Sequence, residues 1–254
     1  MDDGVMDGYG FRDVARMEWI KLRSLPAARW TLLLGMLATA ALGVIAGYNT
    51  RNATGDPTSN MLSGVVLGQV ITGVLGVLAI TGEFGSGMIC ATFGAVPRRG
   101  LVLTAKAAVW GGTFLAAGEA AVLAAFVAGT AVLRAGVPHP SLASPDVARA
   151  VLMTGAYLAL VGLMGLGIGA VIRHGGASVA VVIGGLFVAP IVIGAAQHGY
   201  GRLLPELIAG NSLAAVKPVP GFTWSPWLEL AIVALYPAVL LIAGGWLLAR
   251  RDVG

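Results

Sequence analysis

"MLSGVVLGQVITGVLGVLAI", Met61 to Ile80, runs for twenty residues without a charge, its only large polar side chain being Gln69. At about 1.5 Å of rise per residue, a helix of this length matches the ~30 Å hydrocarbon layer of a bilayer. Gly64, Gly68, Thr72 and Gly76 recur at every fourth position. They form a stripe of small residues for close helix contact, within the chain or across to a second copy.

The rest of the chain follows this stretch. Of 254 residues, 57% are hydrophobic and only 11% charged, against about 25% charged in soluble domains. Mean hydropathy is +0.85. Thirty-eight glycines without a collagen-like period fit tightly packed membrane helices. The sequence therefore predicts an all-α integral membrane protein. The net charge of +4 does not point to nucleic acid, because the basic residues are scattered at the ends of apolar runs. A single cysteine, Cys90, excludes an intrachain disulfide and a thiolate metal cluster. The acids ahead of Trp30 are unlike the basic start of a cleavable leader.

Six stretches are long and apolar enough to span: 30–48, 61–80, 101–133, 150–172, 177–197 and 227–249. An even number puts both termini on one side. With the termini inside, Arg12, Arg16, Lys21, Arg23, Arg29, Arg98, Arg99, Lys106, Arg173, Arg250 and Arg251 are cytoplasmic. Arg51, Arg134, Arg149, Arg202 and Lys217 are then outside, so the inner side has the excess of positive charge and sets the orientation. Trp30, Tyr48, Trp224, Trp227 and Trp246 fall near the span ends, where amphipathic rings are favoured. Lys106, near the head of the long third run, predicts that the first turns of that run project from the membrane. No separate soluble domain remains; the longest loop, 198–226, lies outside.

Residues 81–100 form the first cytoplasmic loop. Phe84, Met88, Ala91 and Ala95 recur at helical spacing and predict a short surface helix with one apolar face. Glu83 would stand at its positive end, with Arg98 and Arg99 after its negative end and Pro97 as the stop. Ahead of the first span, residues 1–29 form an arm. Phe11, Val14, Ala15, Leu22 and Leu25 share one side of a helix and Arg12, Arg16 and Arg23 another, with Trp19 suited to a headgroup layer. Glu18 interrupts the apolar side. Pro26 ends the arm.

Catalytic machinery is not apparent. None of Lys21, Lys106 and Lys217 follows a glycine, so there is no phosphate-binding loop for ATP and Mg. His139, His174 and His198 are far apart and lie in loops, which disfavours zinc or a hydrolytic triad. Within the membrane, Glu119 is the uncompensated acid, at a cost of about 2.5 to 3.5 kcal/mol if charged there. It lines a translocation path or seam, with Gln69 as a second candidate there, or acts as a proton-sensitive switch, or is a protonated acid bonded to a neighbouring helix at Gln69 or Thr72 on the second span.

Three regions resemble the ABC-2 permease family, the six-span membrane subunits of ATP-binding cassette exporters. They are "EWIKLRSLPAARW" (Glu18–Trp30), the loop pattern of Glu83, Gly87, Ala95, Val96, Pro97, Arg98 and Arg99, and the tail. The tail comprises "LLPELIAGNSL" (Leu203–Leu213) and "WSPWLELAIVALYPAVLLIAGGWLLARRDV" (Trp224–Val253). Met88 to Ala91 runs apolar where family members often carry polar or basic residues. The resemblance implies a bacterial cytoplasmic-membrane exporter subunit without enzymatic activity of its own, paired with a second permease chain. Two copies of a cytoplasmic ATPase would carry ATP and Mg. It also implies that the 81–100 loop is the coupling helix, with Glu83, Phe84, Met88, Pro97, Arg98 and Arg99 on the ATPase. The arm would be the connecting helix, and 198–226 would hold short helices dipping back into the membrane. An ATP-independent transporter and a non-transporting anchor or sensor subunit are the other two readings.

Overall fold

A computed structural model describes residues 10–50, 56–196, 203–217 and 224–250 of the chain. Among the described residues the regular elements are all helices, and six helical stretches are long and apolar enough to cross a membrane. An arm helix, α1 (Phe11–Ser24), is separated by extended Leu25 from α2 (Pro26–Asn49), with Pro26 as the first residue of the new helix. The second spanning stretch combines a short turn, α3 (Pro57–Leu62), with α4 (Val65–Gly85). After it come a short helix α5 (Met88–Ala95), then α6 (Arg99–Ala131) and α7 (Pro145–Ile172).

The fifth stretch is α8 (Gly175–Ile183), a π-helical turn (Gly184–Val188) and α9 (Ala189–Ala196). Pro190 has no N–H to give the carbonyl one turn back, and the widened turn just before it absorbs that mismatch while the chain remains helical. The sixth is α11 (Pro226–Arg250). Between them, α10 (Pro205–Ile208) continues into a π turn, Ala209–Leu213.

The centre of the bundle is α4 against α7. A Cβ on Gly76 would run into the Gly162 carbonyl, and one on Gly165 into the Gly73 carbonyl. The backbones can therefore approach only because neither helix has a side chain there. The four-residue stripe thus meets its partners inside the chain, since Gly64 and Gly68 abut Thr39 of α2. Buried hydroxyls satisfy themselves locally: Thr39 donates to the Gly35 carbonyl at 2.8 Å, Thr81 to Val77 at 2.9 Å and Thr154 to Ala150 at 2.7 Å. Outside this pair, α2, α8–α9 and α11 bury only a minor part of their surface. Trp30 and Tyr48 of α2 and Trp227 and Trp246 of α11 are exposed, as is Trp224 just ahead of α11.

The two ends of the bundle differ. At one end Arg99 of α6 donates to the Leu248 carbonyl at 2.7 Å and Arg173 to the Leu247 carbonyl at 3.1 Å. Both arginines thereby serve the last turn of α11, whose carbonyls have no helical partner. The arm helix packs beside them, Val14 joining Val96, Val102 and Ala105. Both described ends of the chain therefore lie at this end. At the far end, residues 203–217 fold down onto the bundle, and Ile208 and Leu213 enter the main core. Asp56 holds this segment in place, accepting from the Val216 N–H at 2.7 Å while capping α3 through Thr58 at 3.0 Å. Arg149 adds a bond to the Ala215 carbonyl at 2.8 Å. Of the expected outer loop 198–226, residues 198–202 and 218–223 lie outside the described residues.

Candidate functional site

The arm helix sits against α6 through Val14, Glu18 and Leu22, spaced one turn apart. Glu18 therefore lies at the centre of the buried face rather than interrupting it. Phe11 and Leu25, expected on that face, are exposed, as are Arg12, Arg16, Trp19 and Arg23. The apolar face is narrower than the wheel predicts because α6 offers an ammonium group to Glu18, and burying an acid against a cation is tolerable where burying it alone is not.

That ammonium is Lys106, only 2% exposed. Lys106 Nζ donates to Glu18 Oε2 at 2.5 Å and to Glu83 Oε1 at 2.7 Å. Lys21 Nζ completes the group, donating to Glu18 Oε1 at 2.9 Å, Glu83 Oε1 at 3.1 Å and the Thr92 hydroxyl at 3.0 Å. Two acids and two lysines from α1, α4 and α6 thus form a neutral, largely buried cluster, and Lys21 extends it to α5. Burial alone would lower the Lys21 pKa, but its hydrogen bond to Glu18 and the charges of Glu18 and Glu83 outweigh this and hold it above 10.5.

Glu83 lies in the last turn of α4 and not at the start of the short helix, because Gly87, with φ of 71°, bends the chain between them. The short helix accordingly begins at Met88, and its orienting carboxylate points into the bundle. Phe84 also belongs to α4, beneath the Arg173 guanidinium at 5.4 Å. Ile89 and Thr92 are the inner face of α5, followed by buried Val96, while Met88, Ala91 and Ala95 point outward with Cys90. Pro97 and Arg98 are exposed in the link to α6, and Arg99 lies 5.4 Å from the Phe93 ring.

The intramembrane pair is not brought together. Gln69 of α4 is buried and accepts the Tyr157 hydroxyl at 2.5 Å, and Thr72 bonds its own helix at the Gly68 carbonyl, 3.0 Å away. Glu119 is half-buried on α6, and its carboxylate occupies the notch left by Gly155 of α7. Neither Gln69 nor Thr72 serves it. Among the described residues no group of three or more His, Cys, Asp or Glu side chains could hold a metal.

Sequence reasoning did not group Glu18, Lys21, Lys106 and Thr92. The available signal was Glu18 one turn from both Val14 and Leu22, with a lysine inside an apolar run. Both are charges on faces that must otherwise be buried. No known family model matches this chain, and no curated protein matches it.

Proposed function

We propose that this chain is the membrane subunit of an ATP-driven exporter of the ABC-2 kind, forming the translocation pathway with a second permease chain and driven by a separate cytoplasmic ATPase in two copies. The observation that carries the reading is α5, a short helix outside the six long stretches. Its inner face is fixed by Ile89 and by Thr92 on Lys21, while Met88, Ala91 and Ala95 face outward beside Arg98. An exposed apolar strip with a basic neighbour suits a groove on a soluble partner, apolar contact giving affinity and charge giving register. Pressure on α5 passes through Thr92 to Lys21, and from there to Glu18 and Glu83 on two other helices. The resemblance in the 81–100 loop and the tail supports the same reading. Half-buried Glu119, with exposed Ala116 and Ala120 beside it, is suited to a water-lined or chain-to-chain seam. On this reading the protein belongs in the bacterial cytoplasmic membrane, with the α5 end cytoplasmic.

Affinity purification of the tagged chain in mild detergent tests the proposal by the mass and ATPase activity of what accompanies it. Two ATPase chains per two membrane chains are expected, and Met88→Asp or Arg98→Glu should lose the ATPase without lowering the melting temperature. Glu83→Lys is a poor probe, because it would add a third ammonium beside Lys21 and Lys106. The π turn ahead of Pro190 is the feature that favours an ATP-independent transporter instead. Substrate movement by vesicles holding this chain alone would establish that alternative, and an absence of both ATPase and transport would leave an anchor or sensor.

A further inference from the structure

At the far end of the bundle, α3, the start of α4 and the segment 205–214 enclose an open cavity of about 340 Å3. Its polar lining comes from Ser59, Asn60, Ser63, Gln69, Glu206 and Asn211. The cavity is distinct from the charge cluster, at the opposite end of α4, and plays no part in the proposed ATPase contact.

Two of these groups are incomplete. Gln69 is 1% exposed, and the hydrogen bond from Tyr157 to its Oε1 turns the amide so that Nε2 has no partner among the described residues. A buried N–H2 left this way is destabilising unless an acceptor reaches it. Gln69 is among the residues that line the cavity. Glu206, in the first turn of α10, is the second group. Partial burial raises its carboxyl above the usual 4.5, and among the described residues no lysine or arginine forms an ion pair with it. The missing partners are thus an oxygen acceptor for Gln69 and a cationic donor for Glu206. Hydroxyls and amides of Ser59, Ser63, Asn60 and Asn211, able to give and accept, lie around them. The volume is at the lower end of small-molecule sites, about 300–1,000 Å3, and is sized for a single sugar ring or a lipid headgroup.

We propose that this cavity binds a small molecule carrying a protonated amine beside hydroxyl or other acceptor oxygens, the amine on Glu206 and an oxygen on the Gln69 amide. An anion is disfavoured by Glu206. A purely apolar ligand would leave both groups unpaired. An amino sugar in solution and an amino-alcohol lipid headgroup share the required chemistry.

The experiment is equilibrium binding of glucosamine and of glucose to the purified full chain in detergent, with Glu206→Gln as the near-isosteric variant and its melting temperature as the check on folding. Glucosamine should bind saturably and at least about tenfold more tightly than glucose, a difference of about 1.4 kcal/mol. Glu206→Gln should abolish that preference while melting like the parent. Repeating the titration in nanodiscs of phosphatidylethanolamine and of phosphatidylcholine separates the sources. Weaker glucosamine binding in the first alone identifies the lipid headgroup as the ligand, and equal binding identifies a free solute. No saturable glucosamine binding, equal binding of the two sugars, or an unchanged preference in Glu206→Gln would overturn the proposal. Because the readout is binding without ATPase or transport, its failure leaves the exporter reading untouched.

Discussion

Lys106 and Lys21 share the same two acids, yet they should differ in consequence because only one is fully enclosed. Lys106 is 2% exposed at its side chain and Lys21 20%. Removing the buried cation leaves Glu18 and Glu83 to share the partly exposed Lys21 alone, and breaking such a buried pair costs about 3–5 kcal/mol. Lys106→Met should therefore lower the melting temperature well beyond Lys21→Met, whose site water can enter. Adding Glu18→Gln and Glu83→Gln to Lys106→Met should restore most of the loss, since neutral amides need no counter-ion. Thermal denaturation of the variants in one detergent measures this. Equal losses for the two lysines would show that the cluster is not held by its buried charges. Glu83 Oε2, buried and without a hydrogen-bond partner among the described residues, is the weak point of the group.

At the scale of elements, glycines of one type do different work. Gly76 lies where α4 meets the Gly162 carbonyl of α7, whereas a Cβ on Gly82, two turns further along the same helix, would have nothing within 4 Å. Gly76→Val must push the two central helices apart and should cost at least about 1–3 kcal/mol, the usual range for overpacking. Gly82→Ala meets no obstacle and should gain about 0.5–1 kcal/mol, because alanine loses less backbone freedom on forming a helix. The pair of melting temperatures checks the central role of α4 and α7. A harmless Gly76→Val would mean that their close approach is not what the bundle depends on. The same reasoning accounts for α5. Its exposed strip, Met88, Ala91 and Ala95, is the apolar face that periodicity picked out, turned outward because Ile89 and Thr92 are the residues that find partners inside.

For the whole molecule, the side on which each end of the bundle lies is open to direct measurement. Cys90 is exposed on α5 at the end that holds α1 and the last turn of α11, while Ser141 lies in the α6–α7 link at the other end. If the arginine and lysine excess sets orientation, an impermeant thiol reagent added to intact cells should label Ser141→Cys in a Cys90→Ser background and leave native Cys90 unlabelled. Permeabilised cells should label both. Labelling of Cys90 from outside would reverse the orientation, and with it the side on which a soluble ATPase could meet α5.

Hydropathy alone determined that the protein is all-helical, with six stretches long and apolar enough to cross a membrane, because a bilayer imposes one length and one composition on every crossing helix. It also placed the small-residue stripe on α4 and the interfacial tryptophans, which are properties of a single helix surface. Which surfaces meet was not encoded at that level. Glu18, Glu83 and Lys106 are far apart in the chain, and each alone looks like a charge belonging in water. Only the crossing of α1, α4 and α6 makes them neutralise one another. Gln69 likewise reads as a stray amide until α7 brings Tyr157 to its oxygen and residues 205–214 complete a cavity that it lines. Periodicity reports the environment a side chain requires, whereas the partner that supplies it depends on tertiary contacts between segments distant in the sequence.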